Sequence, residues 1–363
     1  MRIFKDQMII NLALQGGGAH GAFTWGVLDR LLEEESIAIG WVSATSAGAV
    51  NAVALASGLA RGSREAARES LHELWEQVYR AGVPDLLRMN PFLSNLSSAP
   101  ALAHVAALWS PYDFNPLGID PLRQLLSETI DFDALRRTIP VELLIAATDI
   151  ATGKARLFRS HELTIECVLA SACLPTIHHA VEIEGRAYWD GGFSANPDLV
   201  TLAGESPVQD TLIVQLNPIV KHGVPTGARE IADHVNRLTF NAPLLRDIEI
   251  IETAREAAGL IRFGRLARLV RHRFHLVEAG SYTASLGPDS KMKPNWETFM
   301  YLHEAGRAET GRWLDLHRHD VGVRASVDLR ARFLDANGAR ARTAASGNAG
   351  LDEPTDGRPE TEP

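Results

Sequence analysis

Cysteine is nearly absent from the 363 residues, which hold only Cys167 and Cys173. Two cysteines cannot build a disulfide framework, and neither stands at zinc-finger spacing from a Cys or His partner. They read as reduced core residues in a reducing compartment. Long apolar runs are missing as well. The run Met8–Leu14 (MIINLAL) contains Asn11 and is far shorter than the roughly 20 residues a membrane-spanning helix needs. It is also a poor secretory signal, because cleavage after it would fall at Gly16–Gly18 and destroy a loop suited to chemistry. A basic surplus is lacking too: 36 Lys+Arg against 45 Asp+Glu leave a net charge of −9. Without a cationic face against phosphate, nucleic acid is excluded as a general partner.

What is present is globular. A chain that is 45% hydrophobic and 22% charged is neither disordered nor collagen-like. The first 60 residues alternate strand, turn and helix. Met8–Leu14 is followed by Gly16-Gly17-Gly18, then by Ala22, Trp25, Leu28 and Leu32 at helical spacing. A second run, Ile37–Val42, meets Ala44-Thr45-Ser46-Ala47-Gly48 and a small-residue helix, Ala49–Leu59. Two strands each followed by a helix predict a layered α/β fold with a mainly parallel sheet. Val141–Ala147 and Thr211–Leu216 read as further buried strands, and Val181–Gly185 with Ala187–Trp189 as a hairpin. Residues 82–121 are rich in Pro, Ser and Asn and carry Trp109, Tyr112 and Phe114; they read as a loop-and-helix cap or as a packed surface excursion. Residues 336–363 have few large apolar groups and read as a disordered tail. No linker divides residues 1–335, which are read as one domain.

Three constellations could carry chemistry. In Gly16-Gly17-Gly18-Ala19-His20-Gly21, glycines between a strand and a helix let backbone N–H groups face an anion, either a nucleotide phosphate or an acyl-transfer oxyanion. In Ala44-Thr45-Ser46-Ala47-Gly48, a serine lies on a strand-to-helix turn flanked by small residues, like a nucleophile elbow with Ala44 where glycine is usual. In Asp190-Gly191-Gly192, a carboxylate precedes two glycines, a pattern that is most often a plain turn.

Taken together and in order, the three motifs resemble patatin-like acyl hydrolases, specifically bacterial cytoplasmic members. Ala170-Ser171-Ala172-Cys173-Leu174-Pro175 and Asn196-Pro197 extend the likeness, which runs loosely from about residue 8 to 330. The resemblance implies a three-layer α/β/α fold and a Ser–Asp dyad, with Ser46 as nucleophile and Asp190 as general base. It implies an oxyanion hole from the amides of Gly17, Gly18 and Ala47, with Gly16, Gly21, Gly48, Gly191 and Gly192 as motif glycines. The implied substrate is a phospholipid, lysophospholipid or neutral lipid ester; no metal or cofactor is required. The implied location is cytoplasmic, or peripheral to the inner face of a membrane. The sequence names no oligomeric state.

Two other readings stand beside this one. Ala44 could impair the elbow and leave a lipid-binding scaffold. The glycine loop could instead hold a dinucleotide, although the second strand ends in Ser43-Ala44-Thr45-Ser46 rather than the acidic residue that grips ribose. Among the histidines, His20 lies inside the glycine loop, where the family often has arginine. His178 and His179 are expected to wall a pocket, and His272, His275, His317 and His319 to lie on the surface. Arg262, Arg265, Arg268 and Arg271 recur every third residue. They suit either an anionic lipid surface or, the favoured reading, a packed helix pairing with Glu249, Glu252 and Glu256.

Overall fold

A computed structural model describes residues 7–81, 110–220, 223–257, 263–284, 286 and 296–335. The predicted tail, most of the candidate cap (82–109) and Arg262 lie outside the described residues.

The chain opens as foreseen. Strand β1 (Met8–Leu14) leads through the glycine loop into helix α1 (Gly21–Glu33), and β2 (Ile37–Thr45) leads into α2 (Ala47–Ala60) and α3 (Arg64–Arg80). Strand β2 runs past the expected Val42 because Ser43, Ala44 and Thr45 keep pairing with β1 or with the next strand. Short helices α4 (Pro111–Phe114), α5 (Pro121–Thr129) and α6 (Phe132–Thr138) precede β3 (Leu143–Asp149). Then come β4 (Ala155–Arg159), α7 (Ile165–Ser171), and the expected hairpin of β5 (Val181–Ile183) and β6 (Arg186–Asp190). Helix α8 (Leu199–Glu205), β7 (Asp210–Gln215), α9 (Ala228–Glu256), α10 (Gly264–Arg271), β8 (Arg273–Glu278), α11 (Gly280–Ala284) and α12 (Trp296–His317) follow.

The strands form one sheet in the order β5-β6-β3-β2-β1-β7-β8, with β4 also on β3. The ladders among β3, β2, β1, β7 and β8 are parallel. Each central strand buries both faces. Leu12 and Leu14 pack with α1, α2 and α12, whereas Ala13 between them packs with α8 and α9; Leu143, Ile145 and Leu144 divide the same way, as do Leu212, Val214 and Ile213. Period-2 alternation with no polar face is the pattern of a sheet covered by helices on both sides. The fold is therefore three-layer α/β/α. Each of the leucine, isoleucine and valine side chains among these contributes about 1.5–3 kcal/mol over its exposed state.

Strand β3 also sets the position of the site. Its Leu144–Thr148 pair with β4 along one edge. On the opposite edge, Leu143–Ala146 pair with β2, and Ala147–Asp149 then pair with β6. Thr45 lies opposite Ala146, and Asp190 lies opposite the next residue, Ala147. Residues far apart in sequence thus meet end to end on one strand.

Two expectations need correction. His272 and His275 are buried, not superficial. Residues 273–278 form a strand that the sequence reading missed, and both rings are buried where it joins the sheet. There His275 Nε2 lies 3.2 Å from Asp210 and Nδ1 lies 2.9 Å from Ser326 Oγ. His272 Nε2 lies 2.7 Å from Thr211 Oγ1, and burial drives the pKa of His272 down to about 3. His317 is half-buried and His319 exposed. The second correction concerns α10, which is packed through Ala267 and Leu269 with Arg265, Arg268 and Arg271 outward. Arg265 pairs with Glu205 at 2.9 Å, whereas Glu252 and Glu256 are engaged by Arg255 and Arg330. Cys167 and Cys173 are buried free thiols, as expected.

Candidate active site

Ser46 sits between the end of β2 and the first residue of α2 with φ 55° and ψ −124°. A side chain rarely adopts that backbone, and holding it there costs on the order of 1–3 kcal/mol. The turn is fixed from outside. The Ser46 N–H donates to Ser171 Oγ at 2.9 Å, and the Thr45 hydroxyl donates to the Ala195 carbonyl at 2.8 Å. Ala44, by contrast, is an ordinary strand residue that pairs with both Leu14 and Ile145, and its methyl is fully buried in the core. Glycine is not needed there, because the reversal begins only at Ser46.

Asp190 is completely buried at the end of β6. Its Oδ1 accepts the Gly192 N–H at 2.7 Å, its own N–H donates to the Cys173 carbonyl at 2.7 Å, and its carbonyl accepts the Thr148 hydroxyl at 2.8 Å. Burial pushes its pKa up to about 7, against the pull of the Gly192 N–H and the Ser46 hydroxyl, which stabilise the carboxylate. Among the described residues, no hydrogen bond of good geometry reaches Oδ2. The serine is thus near enough to influence the carboxylate, while that oxygen stays open to receive a proton.

The glycine loop closes the third side. A Cβ on Gly16 would stand 2.8 Å from the Ser46 Cβ, so the loop can lie against the elbow only without a side chain. Gly17 is half-buried and Gly18 is exposed, and Gly18–His20 make a short 3-10 turn into α1. Among the described residues, the N–H groups of Gly17, Gly18 and Ala47 donate no hydrogen bond to other protein groups. Gly21 packs on Ala47, and Gly48 on the Leu14 carbonyl. Gly191 approaches the Ala146 carbonyl so closely that an added Cβ would lie 2.2 Å from it, and Gly192 faces the Phe240 ring. A Gly191→Ala variant should therefore lose about 1–3 kcal/mol through overpacking, read as a lower denaturant midpoint. An unchanged midpoint would contradict this packing.

Other expected residues are placed nearby. His20 is buried in the 3-10 turn. His178 and His179 line a cavity of about 200 Å³ together with Asp120, Arg123, Glu166 and Cys173. His178 Nδ1 faces the Leu174 N–H at 3.3 Å and burial holds its pKa down, whereas the His179 ring stacks on Tyr112 at 4.1 Å. Ser46 and Asp190 do not line this cavity. The sequence reading named Ser171 and Asn196 only within family-like stretches and missed Gln15, Thr148, Asn217 and Asn241. These polar side chains are buried, and in a one-dimensional reading they look like any solvated Asn, Gln or Thr.

Among the described residues, no His, Cys, Asp or Glu cluster could hold a metal ion, and no helix is long and apolar enough to cross a membrane. The patatin-like phospholipase family model matches residues 12–202. Among solved structures, VipD from Legionella pneumophila is similar at 15% identity and TM-score 0.41, the match covering 85% of this chain and 67% of VipD. ExoU from Pseudomonas aeruginosa, in its complex with SpcU, is similar at 15% identity and TM-score 0.35, over 96% of this chain and 64% of that chain. A search of curated proteins finds no match.

Proposed function

Because the chain belongs to the patatin-like phospholipase family, we propose that it hydrolyses carboxylic esters of lipids through a Ser46–Asp190 dyad. The observation that carries the reading is the wholly buried Asp190 carboxylate, which keeps one oxygen open and feels the Ser46 hydroxyl. In the first half-reaction Ser46 Oγ bonds to the ester carbonyl carbon as its proton passes to Asp190. The carbonyl oxygen becomes an oxyanion, held by the N–H groups of Gly17, Gly18 and Ala47. Collapse breaks the bond to the alcohol, which leaves with the proton from Asp190. Water, giving a proton back to Asp190, then attacks the acyl-serine; collapse releases the fatty acid and returns the proton to Ser46.

An apolar surround supports a lipid acyl group as the substrate. Phe193 packs on Phe240 at 5.0 Å, and the Phe240 ring lies against Gly192, two residues from Asp190. The phospholipid, lysophospholipid and neutral lipid readings share this acyl group. The scaffold alternative loses its motive, because Ala44 lies in the strand and not in the turn. The dinucleotide alternative falls with the family assignment.

The test is labelling with a fluorophosphonate, which phosphonylates an activated serine, alongside hydrolysis of short- and long-chain esters. Wild-type protein should label and turn over, and Ser46→Ala should do neither. A folded wild type that neither labels nor hydrolyses any ester sinks the proposal.

A further inference from the structure

Four carboxamides surround the glycine loop, and all are buried: Gln15, Asn196, Asn217 and Asn241. Two of them grip Gly16 from its two ends. The Asn196 Oδ1 accepts the Gly16 N–H at 2.8 Å, and the Asn217 Nδ2 donates to the Gly16 carbonyl at 3.0 Å. The others hold the gripping residues. Gln15 Oε1 accepts the N–H groups of both Leu216 and Asn217 at 2.8 Å, and its Nε2 donates to Asn241 Oδ1 at 3.2 Å. Asn196 Nδ2 donates to the Phe240 carbonyl at 2.8 Å, and Asn241 Nδ2 to the Pro218 carbonyl at 3.1 Å. Both gripping asparagines precede a proline, Pro197 and Pro218, whose ring restricts the backbone of the residue before it.

The sheet order gives this grip a direction. Strand β1 lies between β7, which ends two residues before Asn217, and β2, which ends next to Ser46. In a trans peptide the C=O and the following N–H point opposite ways. With the Gly16 carbonyl held toward the β7 side, the Gly17 N–H must point toward the β2 side, where Ser46 stands. If that peptide flipped, the carbonyl oxygen would face the serine, and an oxyanion would meet repulsion in place of a donor. Glycines on both sides of this peptide leave it little intrinsic resistance to flipping.

We infer that Asn217, seconded by Asn196, is a positioning residue that locks the Gly16–Gly17 peptide in the orientation that makes an oxyanion donor. The inference rests on the proposed roles of Ser46 and Gly17, and it adds a role for side chains that touch no substrate. It requires the loss on removing Asn217 to appear in the transition state and not in ground-state binding.

The experiment measures kcat and KM for a short-chain ester with wild type, Asn217→Ala and Asn217→Asp, each checked by thermal unfolding. The Ala variant deletes the donor without adding charge; the Asp variant keeps the shape and presents an acceptor to the Gly16 carbonyl. Both should lose about 100-fold in kcat, the scale of one oxyanion donor, with KM within a few-fold of wild type. Inhibition by a trifluoromethyl ketone, whose adduct on serine carries an oxyanion, should weaken in parallel. Wild-type kcat in either folded variant, or a loss confined to KM, overturns the inference and leaves the dyad intact. An inactive wild type would strike the dyad instead. If the Asp variant does not fold, the Ala variant alone decides.

Discussion

Replacing Asp190 by asparagine should cut turnover by orders of magnitude and, above pH 7, make the protein harder to unfold. The two effects share a cause. The carboxyl is fully buried, and burial raises its pKa from 3.8 to about 7. A group whose folded-state pKa lies above its unfolded value binds its proton more tightly in the folded protein. Its stabilising contribution is complete below about pH 3.8 and is lost as pH rises through about 7. Above that, the folded protein carries a buried carboxylate at a cost of up to about 4 kcal/mol. Asparagine carries no charge, and its oxygen can still accept the Gly192 N–H. The variant should therefore match wild-type stability in acid and exceed it in alkali. Its ester hydrolysis should fall by about 100- to 10,000-fold, the usual range for a lost general base. Wild-type kcat/KM should rise with pH through an apparent pKa near 7, because only the carboxylate accepts the serine proton. Thermal unfolding from pH 5 to 9 beside a pH–rate profile checks both halves. Equal melting temperatures at pH 9 would show that the carboxylate is not desolvated as described.

Ser46→Gly is expected to be inert toward esters and yet more stable than Ser46→Ala, by about 1–2 kcal/mol. Both changes remove the hydroxyl, so neither should label with a fluorophosphonate or hydrolyse ester above background. They differ in backbone. Ser46 holds φ 55° and ψ −124°, a region in which a Cβ is strained and glycine is not. Alanine keeps the strain, whereas glycine relieves it at some cost in unfolded-state entropy. Denaturant midpoints of the two variants provide the comparison. If alanine is as stable as glycine, the turn is not strained at Ser46.

Much of this site was legible because its motifs are local. The strand–glycine–helix and strand–serine–helix units form where the apolar periodicity and small residues place them, and Asp190 ends a hairpin whose alternation is visible in Val181–Trp189. Strand β8 was hidden: Arg273-Phe274-His275-Leu276-Val277-Glu278 follows an arginine-rich helix, and its polar residues suggest solvent until Asp210 and Ser326 are seen beside His275. The partners of Arg265 were misjudged for a related reason. Glu252 and Glu256 are near in sequence, but Arg330, which engages them, arrives from the far end of the described chain. The carboxamides around Gly16 were invisible as a group because Gln15, Asn196, Asn217 and Asn241 converge only through the β1–β7 ladder and α9.

The shared edge of β3 has a consequence for when the protein becomes active. Ser46 and Asp190, the proposed nucleophile and base, come together because β2 and β6 dock one after the other on the same strand, at Ala146 and Ala147. Sliding β6 by a single residue would turn Asp190 to the opposite face of the sheet. If the proposed dyad holds, ester hydrolysis should report strand register and be lost when β6 pairs out of register with β3. On the proposed dyad, a chain emerging from the ribosome would carry its serine early but hydrolyse no ester until residue 190 had emerged and found its place. On that proposal, proteolysis anywhere between the two strands that frees the hairpin would abolish ester hydrolysis without touching Ser46 or Asp190.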